Sequence, residues 1–164
     1  MGGGEPMRRK DREVTDRKWM DDVLAKALFI EVAMSDGEGR PYIVPMGFGY
    51  EDGVIYLHGA SEGLKNDILR DNPLVCFQTF IDAEVIRPQV GFSYTMHYKS
   101  VTGHGRVTTI TDPDEQNRAL KVVTEHYGGA HSDTEWRSMA KFWIAKIEIE
   151  SMTGKSNPGI AARG

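Results

Sequence analysis

The spacing of apolar residues along the chain predicts a few helices among a larger number of short strands. From Asp16 onward, apolar side chains recur every three or four positions up to Ala27, which is the spacing of a helix with one buried face. Thr15 or Asp16 is the predicted N-cap, because short polar side chains satisfy the free backbone amides there. Further helices are predicted at about residues 62–71, 112–126 and 133–142.

Alternating or continuous apolar runs predict six strands. They cover residues 28–34, 41–50, 54–58, 74–80, 94–111 and 143–151. In the third strand, successive side chains point to opposite sides of the sheet. Ile55 and Leu57 therefore share one face, and Val54, Tyr56 and His58 share the other.

The short connections between these strands favour antiparallel pairing. Six strands in one small domain favour a closed or partly closed barrel, because closure removes unpaired edges. Residues 82–92 are expected to be irregular, and Gly103 and Gly105 predict a bulge or a close approach by a ligand. The predicted fold class is α+β, mainly β, with an antiparallel barrel and flanking helices.

The composition is that of one globular domain, with 40% hydrophobic and 27% charged residues among 164. A net charge of −4 argues against nucleic acid as a partner, and no apolar run is long enough for a membrane span or a signal peptide. The single cysteine excludes an intrachain disulfide, so we expect a cytoplasmic location. The expected organisation is a flexible arm at residues 1–14, the folded domain at 15–157 and a tail at 158–164.

A loop of small residues after the strand 54–58 is a candidate phosphate site. It spans Gly59 to Gly63, and Lys65 follows it at the start of a helix. Small residues let backbone amides approach an anion, the helix N-terminus adds partial positive charge, and the lysine adds a full charge. The alternative is an ordinary strand-to-helix connection, with Ser61 as N-cap and Lys65 in solvent. The residues alone leave these two interpretations about equal.

His58 ends its predicted strand and opens onto this loop. Beside an anion site, an imidazole can hydrogen-bond a cofactor or donate a proton near neutral pH. The alternative is a polar strand-end side chain bonded to a nearby carbonyl, which is the commoner role of a single histidine. No metal site is expected, because the other histidines lack cysteine or carboxylate partners at ligand spacing. Cys76 lies in an apolar strand and is expected to be inert.

The second notable run is Tyr98–Val107, which contains Gly103 and Gly105 at G-x-G spacing. Its sixth position is Thr108 and its context is a strand, so the dinucleotide-binding fingerprint is not met. On these residues alone, the run is a bulged barrel strand with polar side chains facing outward.

Taken together, these segments resemble the flavin-binding split-barrel proteins, the superfamily of pyridoxamine 5′-phosphate oxidase. The resemblance rests on PYIVPMGFGYEDGVIYLHGASEGLK at 41–65, NPLVCF at 72–77, YKSVTGHGRV at 98–107 and MTGK at 152–155. Within the superfamily, the sequence is most similar to the nitroimidazole-resistance group. The resemblance covers about residues 8–157, and its motifs are specific in combination.

The resemblance implies a homodimer of six-stranded split barrels, with FMN bound at two sites across the interface. It also implies which residues contact the cofactor. A strand along the flavin ring would comprise Ile43, Val44, Pro45 and Met46. His58, Gly59 and Ala60 would lie near the flavin, Lys65 would pair with its phosphate, and Lys155 is a weaker phosphate candidate. The second subunit would contribute Tyr98, Ser100 and Val101.

The function implied by this resemblance is an FMN-dependent oxidoreductase that reduces a small electron-poor molecule, such as a nitroaromatic compound. His58 would then be the catalytic residue, as proton donor or substrate anchor. The alternatives are a flavin carrier without turnover, and a haem or deazaflavin protein on the same barrel. Gly47 stands where this group is expected to have Asn, and residues 82–97 lack the group's usual cysteine. Both departures concern the substrate more than the cofactor.

Overall fold

The strands and helices of the chain were located in a computed structural model. It describes residues 7–87, 94–132 and 142–158. The strands are β1 Glu13–Val14, β2 Ile30–Ser35, β3 Pro41–Met46, β4 Phe48–Glu51, β5 Val54–Ala60, β6 Leu74–Ile86, β7 Thr95–Thr109 and β8 Phe142–Asn157. The helices are α1 Arg17–Lys26, α2 Leu64–Asp71 and α3 Pro113–His126, and a 3₁₀ turn covers Lys10–Arg12.

The strands form one antiparallel sheet in the order β3-β2-β6-β7-β8-β5-β4, and β1 pairs with β8. This confirms the mainly β, antiparallel fold class with flanking helices. The described ranges contain eight strands where six were expected. The predicted strand 41–50 is divided at Gly47 into β3 and β4, and Glu13–Val14 adds β1.

The helices begin where the sequence predicts their caps. The Asp16 carboxylate accepts a hydrogen bond from the backbone N–H of Trp19 at 2.8 Å. The Asp112 carboxylate accepts from the N–H of Glu115 at 2.9 Å, with Pro113 in the first turn of α3. Both side chains satisfy amides that a helix leaves unpaired at its start. The helix predicted near residues 133–142 falls outside the described residues except at Phe142, which begins β8.

Two apolar clusters lie on opposite faces of the sheet. The larger one fills the barrel and is built around Phe48 and Phe77, both with no exposed surface. The smaller one packs α3 against the outer face of β5 through Tyr56. Strand β5 is therefore covered on both faces. As predicted, Ile55 and Leu57 lie on one face, in the larger cluster, and Tyr56 lies on the other, in the smaller cluster.

Three segments differ from the sequence-based expectations. Residues 82–86 were expected to be irregular, but β6 continues through them after a shift in pairing register near Ile81, and it pairs with β7 to Ile86. Strand β8 runs to Asn157 because it pairs with β7 along almost its whole length. The arm expected at residues 1–14 is docked at its far end, where Glu13–Val14 pairs with β8.

The predicted bulge lies between His104 and Gly105, where the β7–β8 register shifts. Gly103 serves internal packing: a Cβ there would lie 2.3 Å from Cζ of Phe77 and 2.6 Å from the Ser151 carbonyl oxygen.

Within the described ranges, no helix has the length and apolar character needed to cross a lipid bilayer.

Candidate functional site

His58 lies near the end of β5 with one ring nitrogen unsatisfied. Its Nδ1 atom is buried and has no hydrogen-bond partner among the described residues. Burial lowers the pKa of His58 below its ordinary value of 6.5, because the charged form loses solvation. The imidazole is therefore neutral at pH 7. A buried ring nitrogen without a partner is costly, so it points to a hydrogen bond made to a ligand.

The loop after β5 leads directly into α2. Gly63 occupies the N-cap with φ of +115°, a conformation that side chains disfavour, and no side chain caps the helix. The Ser61 cap considered in the alternative interpretation is therefore not formed. The start of α2 keeps its free amides available, as an anion-binding loop requires.

Lys65 lies in the first turn of α2 with its ammonium turned inward. Its Nζ donates to Oδ1 of Asn66 at 2.7 Å and lies 3.7 Å from the centre of the Trp143 ring. Within the described part of the chain, no carboxylate comes within 4.0 Å of it. Burial lowers the pKa of Lys65. A half-buried cation without a counter-charge is the geometry of a site for an anionic ligand.

Strand β3 brings Met46 to the same loop. The methyl carbon of Met46 lies 3.8 Å from the point where a Cβ of Gly59 would be, and Lys65 Nζ lies 3.6 Å from that point. Met46 is buried, whereas Ile43 and Pro45 are exposed on a strand at one end of the sheet order. The remaining residues assigned to this side are Val44, which is half-buried, and Ala60, which is exposed.

Sequence reasoning did not identify Tyr127, the residue immediately after α3, which supports this region. Its hydroxyl accepts a hydrogen bond from the Phe48 N–H at 3.0 Å and donates to the Leu28 carbonyl at 2.9 Å. A Cβ on Gly47 would lie 3.4 Å from this hydroxyl and 3.8 Å from Cε1 of His58. The hydroxyl thus holds the β3–β4 junction beside His58. Only the fold brings residue 127 here, so the sequence carries no local signal for it.

A second group of the predicted residues lines a cavity of about 730 Å³ on the outer face of β6, β7 and β8. Tyr98, Ser100 and Lys155 all border it, and Lys155 Nζ lies 6.0 Å from the Tyr98 ring centre. Lys155 is paired across strands with Ser100 on one side and with Glu13 on the other. Glu13 borders the same cavity, and its carboxylate forms an ion pair with Lys10 at 3.4 Å.

Val101 is placed differently from the rest of that group. Its side chain has no exposed surface and lies in the barrel core, and its backbone lies between β6 and β8 in the sheet. The fold thus gives Val101 a packing role within its own chain.

The two groups lie far apart in one chain. His58 is paired with Ile144 near the start of β8, whereas Lys155 lies near the end of the same strand. At about 3.3 Å per residue, the eleven intervening steps correspond to roughly 36 Å of extended strand. One copy of the chain therefore does not gather both groups around one small ligand.

Comparison with known proteins identifies the family of this barrel. A family model described as pyridoxamine 5′-phosphate oxidase matches residues 16–156. The chain belongs to the pyridoxamine 5′-phosphate oxidase family. This confirms the resemblance found in the sequence segments. A comparison with curated proteins finds no match.

Several solved structures share this fold. A proposed 5-nitroimidazole antibiotic resistance protein from Bacteroides thetaiotaomicron VPI-5482 is 32% identical, with 87% of this chain and 85% of that chain covered and a TM-score of 0.74. An FAD and heme binding protein from Mycobacterium smegmatis is 21% identical over 93% and 80% of the two chains, with a TM-score of 0.76. An FAD-binding protein from Mesorhizobium loti is 23% identical over 89% and 97%, with a TM-score of 0.65. The last two show the fold of the family alone.

Proposed function

We propose that this member of the pyridoxamine 5′-phosphate oxidase family binds FMN and reduces a small electron-poor molecule, with nitroaromatic compounds as the substrate class. The observation that carries the proposal is a pair of incompletely partnered groups beside the loop after β5, one on each face of that strand. Lys65 has no counter-charge in the described residues, and Nδ1 of His58 has no hydrogen-bond partner there. A phosphorylated cofactor with a polar ring system supplies what each of them lacks.

Lys65 and the start of α2 fit a phosphate group. The ammonium is held at the loop by Asn66, and the uncapped helix offers free amides beside it. A phosphate at this position accepts charge-assisted hydrogen bonds from Lys65 and backbone hydrogen bonds from the helix. Lys155 is the weaker phosphate candidate, because it lies within strand β8, whereas Lys65 lies at the start of a helix.

His58 and β3 fit the ring system of the cofactor. When bound, the flavin supplies the electron or hydride transfer chemistry. His58 then holds a polar atom of the ring or the substrate through the ring nitrogen that the fold leaves unsatisfied. Because its pKa is lowered, the neutral imidazole can donate from one nitrogen and accept at the other. Ile43 and Pro45 are exposed on β3 and provide a surface for the ring. The Met46 side chain lies next to Gly59 and fills the space there.

A second copy of the chain completes the proposed site. Tyr98, Ser100 and Lys155 lie too far from His58 to reach the same ligand within one chain, as the length of β8 requires. Exposed apolar side chains also border the cavity that they line, including Phe80, which packs edge-on against Phe29. A homodimer buries this apolar surface and brings the cavity of one copy to the His58 loop of the other.

The relatives' descriptions agree with a flavin. The Mesorhizobium loti protein is described as FAD-binding and the Mycobacterium smegmatis protein as FAD and heme binding. The Bacteroides thetaiotaomicron protein supports the nitroaromatic substrate class through its proposed role in 5-nitroimidazole resistance.

The first test compares FMN with riboflavin, which lacks the phosphate. Lys65→Met is expected to weaken FMN binding by about 1.5–3 kcal/mol, because one charge-assisted contact is lost, and to leave riboflavin binding unchanged. Flavin fluorescence during titration measures both affinities. Lys121→Met is the matched control, since this exposed lysine pairs with Glu125 on α3 away from the loop. Equal losses for FMN and riboflavin would remove Lys65 from the phosphate site.

A second measurement separates an oxidoreductase from its alternatives. FMN-loaded protein is mixed with NADH or NADPH in the absence of oxygen, and a nitroaromatic compound is then added. We expect the flavin absorbance to bleach and return, and His58→Gln to slow the return while retaining FMN. Absence of any reduction indicates a flavin carrier. A haem or deazaflavin spectrum from the purified protein overturns the FMN assignment.

A further inference from the structure

The Lys65 ammonium lies in a space that exists because one residue of a cross-strand pair has no side chain. Gly59 on β5 is directly paired with Trp143 on β8. Paired residues project to the same face of a sheet, and here one of the two has no side chain. A Cβ on Gly59 would lie 3.6 Å from Lys65 Nζ. The ammonium therefore lies beside the bare Gly59 backbone and over the neighbouring indole ring.

Both groups that hold the ammonium are themselves fixed. The Trp143 ring lies 3.7 Å from Lys65 Nζ, and its Nε1 donates to Oγ1 of Thr109 at 3.0 Å. Asn66 accepts from Lys65 at 2.7 Å, and its Nδ2 donates to the Ala60 carbonyl at 3.0 Å. The ammonium thus has two partners that are each held by a second hydrogen bond.

Neither partner neutralises the charge. An indole face attracts a cation through its quadrupole, and an amide oxygen attracts it through a dipole. A carboxylate in the place of Trp143 would hold the ammonium equally well, but an incoming anion would have to displace it. The aromatic ring fixes the direction of Lys65 while leaving its full charge available.

We propose that Trp143 is a positioning residue that holds the Lys65 ammonium at the mouth of the β5–α2 loop for an anionic ligand. The identity of that ligand as FMN rests on the proposed function. The placement of Lys65 by the indole ring does not depend on it.

The main experiment is a double-mutant cycle in FMN binding. Trp143→Leu is expected to weaken FMN binding about three- to tenfold, the range of a partly desolvated cation–π contact. Riboflavin binding is expected to be unchanged, because it has no phosphate for Lys65 to meet. In a Lys65→Met background, Trp143→Leu is expected to cause no further loss. A loss that persists without Lys65, or that is equal for riboflavin, overturns the proposal.

Trp143→Phe keeps an aromatic face at this position and is expected to bind FMN within about threefold of the wild type. Thermal unfolding of both variants shows whether either substitution damages the fold. If Trp143→Leu fails to fold, Trp143→Phe and the measurement on the free protein below decide the question. A Phe variant that binds FMN as weakly as Lys65→Met contradicts a role through the aromatic face.

The free protein gives a readout that requires no cofactor. Protons next to an ammonium that lies over an indole ring are shifted upfield by the ring current. In NMR spectra of the unliganded protein, the ε protons of Lys65 are therefore expected upfield, and Trp143→Leu should return them to ordinary positions. An ordinary shift in the wild type overturns the proposal.

Inorganic pyrophosphate separates failure of this proposal from failure of the proposed function. If the wild type does not bind FMN, but binds pyrophosphate more weakly after Trp143→Leu, the role of Trp143 stands and the FMN assignment falls. If FMN binds normally and Trp143→Leu weakens the binding of neither FMN nor pyrophosphate, the FMN assignment stands and Trp143 has only a packing role.

Discussion

Gly49 lies where α3 crosses β4, and replacing it with alanine tests the placement of that helix. A Cβ at Gly49 would lie 2.7 Å from both the carbonyl carbon of Val122 and the backbone nitrogen of Val123. These are backbone atoms of α3, so a change of rotamer does not relieve the clash. The helix must move by about 0.7 Å to reach the 3.4 Å at which ordinary contact begins.

The expected cost follows from this displacement. Inserting one methyl group into a packed interface typically costs about 1–3 kcal/mol, and a rigid backbone neighbour places Gly49→Ala at the upper end. For a domain of this size, 1 kcal/mol lowers the melting temperature by about 2–4 °C. We therefore expect a decrease of about 5–10 °C, measured by circular dichroism during heating.

Gly37→Ala is the matched control, because a Cβ there meets nothing within 4 Å. It is expected to melt within about 1–2 °C of the wild type, as open surface substitutions do. If Gly49→Ala melts together with this control, α3 does not lie against β4 as described. The support of the β3–β4 junction by Tyr127 would then also be in doubt, since α3 ends beside that residue.

Two further predictions concern charge. Because burial lowers the pKa of His58, the neutral form stabilises the fold above about pH 6.5, and this stability is lost as pH falls towards the lowered folded-state value. His58→Gln should reduce the change in the free energy of unfolding between pH 7 and pH 5, measured by urea titration. If this pH dependence is the same in the variant and the wild type, the imidazole is not buried. Lys155→Met should weaken FMN binding less than Lys65→Met, because Lys155 lies within a strand and Lys65 lies at a helix start with free amides. The reverse order in a titration would move the phosphate to Lys155.

Local chemistry was sufficient to predict the elements that carry their own signals. Asp16 and the Asp112–Pro113 pair mark helix starts through hydrogen bonds to adjacent amides, and both caps are formed. The alternation in β5 identified its two faces, because each face packs against a different apolar cluster.

Features set by distant partners were not predictable in the same way. The extension of β6 to Ile86 and of β8 to Asn157 depends on long pairing with β7, which no local pattern reports. Residue Gly47 divides a strand that its sequence alone describes as continuous. The contribution of Trp143 and Tyr127 to the site depends on strand register and helix placement, because their partners Lys65 and Phe48 are almost 80 residues away.

The position of β8 in the sheet constrains when the barrel can form during synthesis. Strand β8 is inserted between β7 and β5, although the ribosome makes it after both of them. Until it emerges, these two strands expose unpaired backbone groups that invite pairing with other chains. The barrel therefore closes only late in translation. The same late strand carries Trp143 and Lys155, so neither group of site residues is complete before β8 has joined the sheet.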